Sequence, residues 1–206
     1  MTRWNDQHDG RDDQLARSVA RCLFEDRMLG WEGAFEAARR ILGVPARGAM
    51  PSHGLVRRHL EALEEARLGA EGAREVRRTR VLAIVELLEF VRFVLDPSDI
   101  VVVGLLAREV AVGPLEVHAR VFEGKPFQGL FEQLESVGVR EVLASSTSGP
   151  MGRFESVRFD SDGERFTLTR IPREQRAYTT DRNLVTGRPI PQVSLETFSG
   201  YFAASS

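Results

Sequence analysis

Residues 100–122 read IVVVGLLAREVAVGPLEVHARVF, and this stretch decides what kind of fold the C-terminal half adopts. Ile100 to Val103 is a run of β-branched and aliphatic residues, which is typical of a buried strand. Leu115 to Phe122 alternates apolar with polar residues, the period of a strand that buries one face. Gly104 directly follows the first run and favours a tight turn there. The stretch therefore predicts a strand, a turn with a short connecting arm, and a second strand.

The chain after this stretch continues as further strands with few helices. Apolar spacing predicts one short helix around Phe127 to Leu134, and Gly138 lies just past its end. Asp162-Gly163 strongly favours a type I′ hairpin turn. The other predicted features are a strand at Val139–Leu143, a loop at 145–152, strands at Phe154–Phe159 and Phe166–Ile171, and a last helix capped by Ser194.

Helices are predicted before the stretch, because apolar residues recur there at three- and four-residue intervals. They run from about Asp12 to Met28, Trp31 to Leu42, Ser52 to Gly69 and Ala73 to Leu95, and Asp96-Pro97 ends the last one. The predicted organisation is a disordered tail at 1–11, a helical module at 12–97 and an α/β domain at 98–206. The fold class is therefore α+β: an N-terminal helical module followed by a mixed β-sheet domain with helices on one face.

Composition narrows the classes of protein that the chain can belong to. The formal net charge is −2 over 206 residues, so no global field attracts nucleic acid, and such binding would need a local basic patch. Cys22 is the single cysteine and suits buried apolar packing in a reducing compartment. The longest apolar run is interrupted by charged residues such as Glu86 and Glu89, which predicts no membrane span. We expect a cytoplasmic protein.

The spacing within 100–122 resembles the signature of the DNA polymerase β superfamily of nucleotidyltransferases. In that signature a G-S-x-A-R-G turn binds the triphosphate, and two acids separated by one residue hold metal ions on the next strand. Gly104 lies at the glycine, Ala107 and Arg108 at the A-R pair, and Glu116 and His118 at the two acids. The resemblance implies a nucleotidyltransferase-like domain over 98–206. The whole chain is also similar to a bacterial family of comparable length with a helical N-terminal module.

The departures from that signature predict a loss of catalysis. Leu105 replaces the serine that contacts phosphate, Glu109 replaces the second glycine and would repel phosphate, and His118 replaces the second acid. The third acid would fall near Thr167, which carries no charge. Two divalent ions beside a triphosphate need several hard oxygen ligands, and one glutamate with one imidazole supplies too few.

The resemblance implies candidate site residues even so. Gly104 and Arg108 are the candidates for nucleotide contact, and Glu116 and His118 for metal binding. No catalytic residue and no cofactor are expected; in an active protein Glu116 would be the principal residue, with Mg²⁺ or Mn²⁺ and a nucleoside triphosphate. Asp160 and Asp162 are the nearest candidates in sequence for a third carboxylate.

Three functions therefore stay open. The first is a degenerate nucleotidyltransferase-like protein that binds a nucleotide or a protein partner, and the second is an active, divergent enzyme that uses Glu116 and His118. The third is an interaction module without a pocket at Gly104. A homodimer is compatible with all three.

Several local features have a functional and a structural interpretation. Ser145–Ser148 could bind an anion, and Arg182, Asn183 and Arg188 could contact a ligand, but an ordinary loop accounts for both segments. The arginines near Arg77 could form a basic patch, although interleaved glutamates favour helix salt bridges.

Overall fold

The computed structural model describes residues 3–45, 50–108 and 111–203, with the side chains of 3–11, 28, 140 and 201–203 left out. The chain forms two compact units, one of Met1–Arg77 with Val112–Pro114 and one of Arg78–Ala111 with Leu115–Ser206. The units divide inside a helix rather than near residue 97, where the composition changes. The reason is that the last turns of this helix pack against the sheet and so belong to the second unit.

The first unit is helical. It contains α1 (Arg3–Glu25), a 3₁₀ turn (Arg27–Leu29), α2 (Gly30–Leu42) and the first part of α3 (His53–Leu95). Its core comprises Leu15, Ala16, Val19, Ala20, Cys22, Leu23, Ala34, Phe35, Ala38, Val56, Leu60 and Val112. Cys22 is buried as predicted, and burial raises the pKa of its thiol.

Two helix boundaries in this unit test the sequence prediction directly. Gly69 has a non-helical conformation (φ 73°, ψ 164°) inside α3, so the predicted break between the third and fourth helices is confirmed. Ser52 caps α3, since its Oγ accepts a hydrogen bond from the Leu55 amide at 3.2 Å. The tail predicted at 1–11 is instead helical from Arg3 onward. Those residues lack apolar periodicity, but extending an existing helix backwards needs no new nucleus.

The second unit contains a mixed sheet and its covering helices. Its strands are β1 (Asp99–Val103), β2 (Glu116–Phe122), β3 (Arg140–Gly149), β4 (Gly152–Ser161), β5 (Glu164–Ile171) and β6 (Gln192–Ser194). The helices after α3 are α4 (Gln128–Ser136), α5 (Arg176–Thr179) and α6 (Leu195–Ala203). The spatial order is β3-β4-β5-β2-β1-β6, and among the strands that the structure describes only β2 and β5 pair in parallel.

The predicted α+β class is confirmed, with helices on one face of the sheet. The part of α3 after Arg78, together with α4 and α6, packs on what we call the helix face. Val117, Ala119 and Val121 of β2 lie on this face. The other face, here the open face, carries the alternate residues of each strand.

Two turns confirm the sequence interpretation and one strand corrects it. Asp162 and Gly163 both have positive φ, 51° and 77°, as a type I′ turn requires. Ser194 caps α6 through its Oγ, which accepts from the Thr197 amide at 3.2 Å. The loop predicted at 145–152 is wrong over its first part, because β3 continues to Gly149. None of the small polar residues in this part of β3 is fully buried. The sequence there consequently has no alternation of apolar residues that would predict a strand.

Among the described residues, no helix has a stretch that is both long and apolar enough to cross a bilayer.

Candidate functional site

The candidate metal ligands lie together on the open face of the sheet. Strand alternation directs Glu116 and His118 to the same side of β2. His118 Nε2 is 3.6 Å from Glu116 Oε2, and the side chains are 47% and 55% exposed. The two residues predicted from the acid-x-acid spacing are therefore neighbours with access to solvent.

A buried ion pair fixes the beginning of β2, just before Glu116. Arg80 Nε donates to Glu164 Oε1 at 2.6 Å, and Glu164 Oε2 accepts from the Leu115 amide at 2.9 Å. The Arg165 amide also donates to the Leu115 carbonyl at 3.1 Å. These bonds tie the start of β2 to β5 and so determine which residues flank Glu116.

The residues of β5 that lie beside Glu116 and His118 are not acidic. Thr167 pairs with His118 across the parallel β2–β5 ladder, and Arg165 pairs with Glu116. Asp160, the nearest carboxylate in this direction, binds Arg165 through two hydrogen bonds of 3.1 and 3.3 Å. This hydrogen bonding to Asp160 raises the pKa of Arg165, and the charge of Glu116 adds to the effect. A guanidinium, rather than a carboxylate, therefore lies beside Glu116.

Within the described ranges, no group of three or more His, Cys, Asp or Glu side chains is arranged to hold a metal ion. Asp162, the other carboxylate considered, lies in the hairpin turn after β4. Glu116 and His118 remain a two-ligand arrangement, which is fewer than the ligands that either Mg²⁺ or Mn²⁺ normally takes from a protein and its substrate together.

The turn at Gly104 is formed, but its amide is already used. Gly104 has a φ of 89°, a conformation that glycine adopts readily. Its N–H donates to the Pro191 carbonyl at 2.8 Å. Leu105 is 47% exposed, and Arg108 is exposed at the end of a 3₁₀ turn, Leu106–Arg108. Glu109 lies outside the described residues. A phosphate at this turn would therefore compete with Pro191 for the glycine amide.

Arg120 is a residue of the open face that sequence reasoning missed. It is only 3% exposed, and its guanidinium donates to the carbonyls of Thr179, Thr180 and Arg182, the Thr180 bond being 2.8 Å long. Burial lowers the pKa of Arg120 to about 10, so the side chain stays charged at neutral pH. The sequence contains one indication of this burial. Phe122 lies two residues after Arg120 and so on the same face of β2, and an apolar residue there implies that another part of the chain covers this face.

That cover is the segment from Arg176 to Pro191, here called the strap. Arg176 lies over the Phe122 ring, with 4.8 Å from its guanidinium carbon to the ring centroid, and donates to Ser98 Oγ at 2.8 Å. Leu184 of the strap completes a small apolar core with residues of the sheet, which are Val101, Val103, Phe122, Phe154 and Ile171. The strap closes one end of the open face and leaves the Glu116 end accessible.

Two of the three strap residues proposed as ligand contacts, Arg182 and Asn183, use their side chains to hold the strap itself. Asn183 Oδ1 accepts from the amides of Val185 and Thr186, each at 2.9 Å. Arg182 donates to the Gly187 carbonyl at 3.2 Å. These bonds support the structural interpretation of this segment as an ordered connection.

The accessible end of the open face is a shallow polar groove. Arg158 pairs with Thr167 in the β4–β5 ladder and is exposed. It makes no hydrogen bond or ion pair with the described part of the chain. The groove beside it is lined by Glu141, Leu143, Arg158, Phe159, Asp160 and Arg165.

The helical unit offers little support for a basic patch. Arg77 is held between Glu61 and Glu64 at 3.0 and 2.9 Å. Arg57 lies over the Trp31 ring at 5.0 Å. His59 Nε2 is 2.8 Å from Asp13 Oδ1, and His53 stacks on Trp31. The structural interpretation of these residues as helix-packing contacts is the one that the geometry supports.

No protein-family model, no curated protein and no solved structure matches this chain.

Proposed function

We propose that the protein is a catalytically inactive, nucleotidyltransferase-like regulatory protein of the cytoplasm that binds a nucleotide at the accessible end of the open face. The observation that carries this proposal is the identity of the residues beside the acid-x-acid position. Arg165 and Thr167 stand next to Glu116 and His118, where metal-dependent transfer needs a further carboxylate.

The presence of arginine in place of a carboxylate at this end of the open face favours anion binding. Arg158 and Arg165 lie on adjacent strands of the open face, and His118 is on the next strand. A guanidinium without a partner among the described residues, such as that of Arg158, can donate two hydrogen bonds to a phosphate group. Gly104 and Arg108 were the expected phosphate contacts, but the Gly104 amide is bound to Pro191. The proposal therefore moves the phosphate contact from the glycine turn to Arg158 of β4, since Arg165 of β5 is already bound by Asp160.

Nucleotide binding can be measured by calorimetry with ATP, GTP, CTP and UTP. Arg158→Ala should weaken the affinity about tenfold or more, since a charge-assisted hydrogen bond contributes about 1.5–3 kcal/mol. Arg153→Ala is the matched control, because Arg153 is an exposed arginine of the same strand whose side chain lies on the opposite face. The absence of binding for all four nucleotides would overturn the proposal.

The second candidate is an active, divergent nucleotidyltransferase. The 3.6 Å approach of His118 to Glu116 favours it, because the two side chains could share one metal ion. Incubation with labelled nucleoside triphosphates and Mg²⁺ or Mn²⁺ separates the candidates. Incorporation of label by the native chain, abolished in Glu116→Ala, would establish the enzyme and reject the inactive protein.

A further inference from the structure

β3 is an edge strand whose outer side carries unpaired backbone. It lies at the end of the strand order, and β4 is its only partner among the described strands. Pro150-Met151 is a two-residue connection, so Gly149 and Gly152 form a hydrogen-bonded pair. Because such pairs alternate along an antiparallel ladder, Ala144, Ser146 and Ser148 direct their N–H and C=O groups away from β4.

The edge lacks the features by which edge strands usually avoid pairing. β3 is 10 residues long. Residues 142–149 read VLASSTSG, without a charged residue or a proline. Lysines, prolines and short length are the common protections, and an edge without them accepts a further strand. Its irregularity, a register shift between Arg140 and Leu143, is confined to the start of the strand.

The charge distribution along this edge suits a second copy of the same chain. The uncharged segment is flanked by the exposed Glu141 at its beginning and by the exposed Arg153 just after its end. A two-fold axis near Ser146 would set residue 141 of one copy opposite residue 151 of the other. The uncharged segment 143–149 would then pair with itself, and no charged residue of one copy would lie opposite a charged residue of the other. Leu143, which is 62% exposed, would lie opposite Gly149 of the other copy.

We propose that β3 pairs antiparallel with β3 of a second copy, joining two sheets into one across a two-fold axis near Ser146. Such an interface is isologous: the same strand serves both copies and the contact closes on itself. Main-chain hydrogen bonds supply the attraction, as in other cases of strand addition. The inference does not depend on nucleotide binding, because it rests on the main-chain groups of β3, whereas the proposed phosphate contact is Arg158 of β4; Glu141 and Leu143 of β3 line the same groove.

Sedimentation velocity of the full chain over a wide concentration range tests the association. The native chain should dimerise, and Ser146→Lys should weaken the dimer about tenfold or more, since two lysines would meet at the axis. Ala70→Lys is the charge-matched control, at an exposed helical position of the first unit. A native chain that stays monomeric would overturn the proposal, and so would a Ser146→Lys chain that dimerises as the native one does.

Cysteine cross-linking tests the register and keeps the proposal falsifiable if a lysine variant folds poorly. Cys22 is buried, so a new cysteine would be the accessible one. Paired residues in an antiparallel ladder have Cα atoms about 4.5–5.5 Å apart, within reach of a disulfide. Oxidation should link Ser146→Cys chains efficiently and Leu68→Cys chains, which carry an exposed control position, poorly. Equal yields at the two positions would contradict strand pairing at β3.

Discussion

Arg120 is a buried charged residue whose guanidinium contacts main-chain oxygens. The carbonyls of Thr179, Thr180 and Arg182 all accept from its guanidinium, so one side chain fastens the strap to the centre of the sheet. A planar group with several donors can satisfy carbonyls that point from different residues, whereas an ammonium group is a single point. The identity of this residue therefore matters beyond its charge.

Replacing Arg120 should destabilise the second unit. Arg120→Ala leaves buried carbonyls without donors, and we expect a loss of about 2–3 kcal/mol in the free energy of unfolding. Arg120→Lys should recover only part of this loss. Arg158→Ala, an exposed position on the same face, should change stability by less than about 0.5 kcal/mol. Urea denaturation measures all three, and equal effects of Arg120→Ala and Arg158→Ala would contradict the role given to Arg120.

Asp13 and His59 make the stability of the helical unit depend on pH. The hydrogen bond from His59 is the main reason that the pKa of Asp13 is lowered below 3.8. An acid whose folded-state pKa is depressed stabilises the fold above its unfolded pKa and loses that contribution as the pH falls through the folded value. Asp13→Asn should therefore flatten the loss of stability at and below pH 3.8.

Denaturation with urea at a series of acidic pH values provides the measurement. Asp12→Asn is the matched control, being an exposed aspartate one residue earlier in α1 with the same change of charge. If both variants follow the same pH dependence, the Asp13–His59 hydrogen bond does not account for it.

At the scale of elements, Gly69 sets the path of the long helix α3. Its dihedral angles lie in a region that is essentially restricted to glycine. Gly69→Ala should lower stability by about 1–3 kcal/mol, the usual strain of a side chain held in such a conformation. Gly54→Ala is the control, because a Cβ there meets nothing within 4 Å and alanine favours a helix. Circular dichroism during thermal unfolding compares the two, and a stabilised Gly69→Ala chain would show that the break is dispensable.

The elements also show what the sequence can and cannot predict. Apolar patterning was sufficient for β1, β2, β4 and β5. The position of Thr167 was expected only from the resemblance, and the β2–β5 pairing sets it beside His118. The second half of β3 escaped because Ser145 to Ser148 are polar and partly exposed at an edge, so no alternation marks them. Arg120 escaped because its burial depends on the strap, which arrives from residues far along the chain. Sequence periodicity predicts which face of a strand is buried by neighbouring helices and strands. It does not predict that a face is covered by an irregular segment.

At the scale of the whole molecule, each unit has its own core and the long helix contributes to both. Residues up to Arg77 belong to the first unit, and Val81, Ile84, Leu88, Val91 and Leu95 of the same helix belong to the core of the sheet. A cut at residue 97 would remove these apolar side chains from the sheet. A fragment of residues 78–206 should therefore keep more of the sheet's structure than a fragment of 98–206, as near-ultraviolet circular dichroism of the two fragments would show.

The parallel pairing of β2 with β5 determines the order in which the second unit acquires its structure. The β3–β4 and β4–β5 hairpins join strands that are adjacent in the chain, whereas β2 and β5 meet only after residues 123–163 have been looped out. Closing that loop loses more entropy than forming either hairpin, so the sheet should assemble first as hairpins and close late. In stopped-flow refolding, Val157→Ala within the hairpins should slow folding, and Val121→Ala at the late junction should chiefly hasten unfolding. β2, which pairs with β5 late in folding, is the strand that carries Glu116 and His118. The candidate site should therefore be the last part of the second unit to form.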